Sequence, residues 1–88
     1  MRPTSLTVEL VGTTVALSSL DKHTLSDFAQ KLKSVDLVTC TGYAEGNEGL
    51  ALRRADVVAR YLMSRIKIHV KLETVTSIVA NKVIASIL

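Results

Sequence analysis

Residues 35–64 read VDLVTCTGYAEGNEGLALRRADVVARYLMS, and the order of patterns within this stretch decides the fold. Val35 to Thr41 is short, β-branched and bounded by Gly42, which is the pattern of a buried strand. The residues from Gly42 to Gly49 carry Gly42, Gly46 and Gly49 among Glu45, Asn47 and Glu48, and read as a loop. Leu50 to Ser64 is rich in Ala, Leu and Arg without glycine or proline, so a helix follows.

Downstream, Ile66, Ile68, Val70 and Leu72 alternate with Lys67, His69, Lys71 and Glu73, the period of a strand with one wet face. A polar break at Thr76-Ser77 precedes a second apolar stretch, Val79 to Leu88. Upstream, Leu25, Phe28, Ala29 and Leu32 recur at helical spacing after Ser18-Ser19, with Asp21 and Asp27 early and Lys31 and Lys33 late, as a helix dipole favours. Leu6 to Leu17 reads as a strand or hairpin-like pair bent at Gly12. The predicted order is β-α-β-α-β-β. It gives an α+β two-layer sandwich, with two helices packed on one face of a mixed sheet.

Eighty-eight residues suit one domain with a modest core, spanning 1–88. Hydrophobic residues make up 48% of the chain, too many for disorder, and their excess is aliphatic. No apolar run approaches the about 18 residues of a membrane span, and Met1-Arg2-Pro3-Thr4 does not open a signal peptide. The expectation is a domain that either stays in the cell or is a piece of a longer exported or membrane-anchored protein. Residues 1–48 hold four Lys/Arg and six Asp/Glu (−2), whereas residues 49–88 hold seven and two (+5). The basic half favours anionic partners, although surface lysines chiefly keep a domain soluble.

At about 100° per residue, Ala51, Ala55, Val58 and Leu62 share one buried stripe of the second helix. Arg53 and Arg60 point nearly opposite. Arg54 falls roughly 70° from the stripe centre, on the shoulder, where a long side chain reaches the domain edge. Glu45 stands in the loop before this helix. If the loop folds back, the two border one cleft, with a carboxylate for an ammonium and a guanidinium fork for a carboxylate. Such a pair suits a zwitterionic ligand. Glu48, at the helix mouth, reads as a helix cap.

Val38-Thr39-Cys40-Thr41-Gly42-Tyr43-Ala44-Glu45, followed by Leu50-Ala51-Leu52-Arg53-Arg54-Ala55-Asp56-Val57-Val58-Ala59-Arg60-Tyr61-Leu62, resembles the core signature of the OmpA-like peptidoglycan-binding domain. The upstream helix and the closing strand around Lys82-Val83 fall in matching order. The resemblance implies a non-catalytic module that attaches its parent protein to peptidoglycan in the cell envelope, holding the diaminopimelate of the stem peptide. It implies Glu45 for the amine and Arg54 for the carboxylate, with Gly42, Tyr43 and Asn47 completing the ligand-binding set. The chain departs from the family pattern in having Glu45 for Asp, Ala51 for Ser, a short spacing of nine positions (54 minus 45) and an incomplete Asn-Arg-Arg run. The alternative is an OmpA-like fold without the ligand, acting in self-association or in binding another envelope protein.

Other classes find less support. Gly46-Asn47-Glu48-Gly49 matches the GxxG of KH domains, yet it lies between a strand and a helix, and its glutamates repel phosphate. The same acidity, without a loop lysine, argues against a phosphate-binding loop. Two Tyr and one Phe make no stacking platform for bases, so nucleic acid is not an expected partner. Cys40 and two histidines do not approach zinc-site spacing, and neither a metal nor a cofactor is implied. Cys40 reads as a small buried hydrophobe, and His69, between two lysines on a wet face, as a poor base for it.

Overall fold

The computed structural model describes residues 5–10, 16–32, 37–78 and 80–87. Its elements are β1 (Ser5–Glu9), α1 (Ser19–Gln30), β2 (Leu37–Ala44), α2 (Glu48–Arg65), β3 (His69–Val75) and β4 (Asn81–Ile87), in the predicted order. They form one four-stranded sheet, β1-β4-β2-β3, with β2 parallel to β3 and antiparallel to β4. A parallel pair needs a crossover long enough to return the chain to the same end of the sheet, and α2 supplies it. Both helices pack on one face: α2 crosses β2 and β3, and α1 lies against α2 and β1. The two-layer α+β sandwich expected from the sequence is what the chain forms.

Each element follows from local chemistry. Ser18 caps α1 through a capping box, its hydroxyl accepting from the Asp21 amide at 3.1 Å while Asp21 accepts from the Ser18 amide at 3.2 Å. Leu25, Phe28, Ala29 and Leu32 are buried, as their spacing requires. In β2 the alternate residues Val38, Cys40, Gly42 and Ala44 are buried, and Val83 and Ala85 of β4 join them in the core. From α2 come Ala55, Val58, Ala59 and Leu62.

Boundaries of β2, α2 and β3 differ from those the sequence pattern predicts. β2 runs through Gly42 to Ala44, because Tyr43 pairs with both Val75 and Lys82, and Ala44 with Asn81. A central strand with partners on both sides carries a glycine that would end a weaker one. The helix starts at Glu48 rather than Leu50, because Asn47 is the N-cap and its Oδ1 accepts from the Leu50 amide at 3.0 Å. The loop therefore shrinks to Glu45, Gly46 and Asn47, and Glu48 lies in the first helical turn, where its charge meets the dipole. β3 starts at His69, since α2 continues to Arg65 and Ile66 caps it. The bend expected at Gly12 lies outside the described residues.

Candidate functional site

The candidate site gathers where the end of β2, the start of α2 and the head of β4 meet. Gly42 makes this approach feasible. A Cβ there would collide with the backbone carbonyl of Ala51, so α2 rests directly on the β2 backbone. Small residues at Ala51 and Ala55, both fully buried, complete the close contact. Gly42 thus faces α2, and its part in the site is to set the helix–sheet distance.

Close packing decides the state of Arg54. The helical wheel puts it on the shoulder of α2 with a side chain that escapes to the edge. Instead Arg54 is 0% exposed, among the largest fully buried side chains described. Its Nη1 donates to the Tyr43 carbonyl at 2.8 Å and to Asn81 Oδ1 at 2.9 Å. Those two bonds tie α2 to β2 and β4 at once. Hydrogen bonds to a charged group contribute about 1.5–3 kcal/mol each, so the pair is a sizeable part of a small domain's stability. Arg53 and Arg60 do point to solvent, and Arg60 pairs with Asp56 at 2.8 Å.

The short loop is fastened on both sides. Gly46 adopts φ 64°, left-handed backbone that suits glycine, and its amide donates to the Thr76 carbonyl at 3.0 Å. The Asn47 amide donates to Ala44 at 3.3 Å while its side chain caps the helix. Glu45 is exposed, and among the described residues it takes part in none of the ion pairs. The half-buried Tyr43 ring lies under Lys82, whose Nζ is 5.0 Å from the ring centroid. The structure thus joins Arg54, Tyr43 and Asn81 directly, and leaves Glu45 and Asn47 exposed in the loop between β2 and α2.

Asn81 is the residue that sequence reasoning passes over. Its signal is a lone polar amide at the head of an apolar strand, and only the Ala44–Asn81 pairing brings it to Arg54.

Among solved structures, the chain is similar to the OmpA-like domain of FopA1 from Francisella tularensis subsp. tularensis SCHU S4, with a TM-score of 0.72 and 21% sequence identity over 96% of this chain and 73% of that one. The fold is OmpA-like. No family model matches the sequence. A search of curated proteins finds no match either.

Elsewhere on the OmpA-like fold, two side chains have shifted titration. Burial pushes the Cys40 thiol up to about 12, which keeps it protonated and unreactive at neutral pH. On the α1–α2 seam, hydrogen bonds with Ser26 and then Arg65 draw the Tyr61 phenol below its ordinary range, and Arg65 also lies over the Tyr61 ring at 4.9 Å. Surface depressions of about 450 and 400 Å³ sit beside Val57 and Tyr61 and beside Met63 and His69, and neither is lined by Arg54. Among the described residues no helix is long and apolar enough to cross a membrane.

Proposed function

We propose that this domain is a non-catalytic module that attaches its parent protein to peptidoglycan through the diaminopimelate-type stem peptide, and that it works in the cell envelope. The observation that carries the reading is a buried arginine fixed at the end of β2, next to the loop that bears Glu45, in an OmpA-like fold. A side-chain diaminopimelate offers an ammonium and a carboxylate on one carbon. Glu45 takes the ammonium, and Arg54 takes the carboxylate through its planar fork. Tyr43, Gly42 and Asn47 hold these two in register: the first by its carbonyl, the second by its closeness to α2, the third by capping the helix that carries Arg54.

Retention on purified cell walls tests the site. Glu45→Gln and Arg54→Lys are expected to lower retention at least about tenfold, with unchanged circular dichroism and with free diaminopimelate competing against the wild type. Full retention by both variants would sink the reading.

The three-residue loop and the enclosed arginine favour a second reading, an OmpA-like fold that mediates protein association without binding the wall. It predicts no wall retention by the wild type, and self-association or capture of an envelope protein in its place. A wild-type domain that binds walls and stays monomeric in sedimentation equilibrium contradicts it.

A further inference from the structure

The inference concerns Asn81 and rests on the binding site proposed above. Arg54 Nη1 has two hydrogens, and the Tyr43 carbonyl and Asn81 Oδ1 accept them. A ligand carboxylate that reaches this nitrogen must displace one of these acceptors. The Tyr43 carbonyl belongs to the backbone of a central strand paired on both sides, and cannot leave without opening the sheet. Asn81 differs. It is exposed, and its amide can turn away by side-chain rotation while the β4 backbone keeps its pairing with Ala44.

We propose that Asn81 sets the affinity and selectivity of the site: its amide oxygen holds the place on Arg54 that a ligand carboxylate takes, and ligand binding displaces it. An amide oxygen is a neutral acceptor, whereas a carboxylate makes a charge-assisted bond roughly twice as strong. The exchange therefore favours anions and rejects ligands that offer only a carbonyl or hydroxyl. The displaced amide stays solvated, because Asn81 already meets water. The fully buried state of Arg54 is then the resting state of the site, with an exposed side chain as its cover.

The test compares the wild type with Asn81→Ala and Asn81→Asp on purified diaminopimelate-type peptidoglycan. It also follows the rate at which phenylglyoxal modifies Arg54 relative to Arg53. Asn81→Ala is expected to bind about tenfold more tightly, the equivalent of one hydrogen bond to a charged group, and to speed Arg54 modification at least several-fold. Asn81→Asp puts a fixed carboxylate on Arg54 and is expected to weaken binding about tenfold or more. Equal or weaker binding by Asn81→Ala overturns the proposal. If wild-type retention nevertheless remains sensitive to Glu45→Gln, the peptidoglycan reading survives that result. If neither protein is retained although Arg54 has become reactive in Asn81→Ala, both fall.

Discussion

Arg54 shows what one residue adds to the account, because its side chain is enclosed while its neighbour Arg53 is in solvent. Truncating a buried, hydrogen-bonded group leaves its acceptors unpaired and a cavity behind. Arg54→Ala is therefore expected to cost about 3 kcal/mol, or on the order of 12–24 °C in Tm for a domain of this size, while Arg53→Ala stays within about 0.5 kcal/mol. Urea titration of the two variants side by side checks this, and equal effects would contradict the burial. The wheel picks Arg54 out of three arginines, since angle follows from spacing alone. Its burial is not legible, because a wheel carries no information on how near the helix lies to the sheet, and at Gly42 the helix backbone rests directly on β2. Cys40 behaves as the sequence implies, and it makes a pH prediction. Its folded-state value is raised from 9.0 to about 12, so the stability from keeping the thiol neutral is complete below pH 9 and is lost as pH climbs towards 12. Wild type should lose up to ~1.4 kcal/mol per pH unit more than Cys40→Ala across that window. Parallel pH profiles of the two proteins would contradict it.

At the scale of elements, the interiors of strands and helices are legible, as is the capped start of α1 at Ser18, whereas the ends set by strand pairing are not. Leu25, Phe28 and Ala29 predict the buried side of α1 because a helix repeats its face every three to four residues, and Leu32, just past the C-cap, is buried with them. The end of β2 depends on pairing with Val75 and Lys82, which lie 32 and 39 positions away, and no local pattern encodes that. The same limit hides Asn81, whose role exists only through its register with Ala44. The junction of β2 and α2 yields a graded prediction. Gly42→Ala drives a methyl into the Ala51 carbonyl and is expected to cost 3 kcal/mol or more, roughly, as overpacking against backbone. Asn47→Ala removes only a cap and should cost about 1 kcal/mol. Thermal denaturation orders the two, and a reversed order would mean that α2 does not rest on the β2 backbone.

For the whole molecule, the sheet order, the helix layer and the OmpA-like likeness agree on one architecture, and the resemblance carried by residues 38–62 leads to the same fold. Ligand recognition is the step that the fold alone does not supply, since one fold hosts many functions and function resides in the site. In the proposed function that step is assigned to Arg54, hydrogen-bonded to Asn81, and to the exposed Glu45 of the loop before α2. The most direct test is a ¹⁵N NMR titration of the domain with a stem peptide containing diaminopimelate, against the same peptide with lysine in its place. Saturable shifts are expected at Glu45, Gly46, the Arg54 guanidinium and the Asn81 amide for the first peptide, and at least about tenfold weaker binding for the second. Unperturbed signals at these residues under excess diaminopimelate peptide would contradict the proposed function.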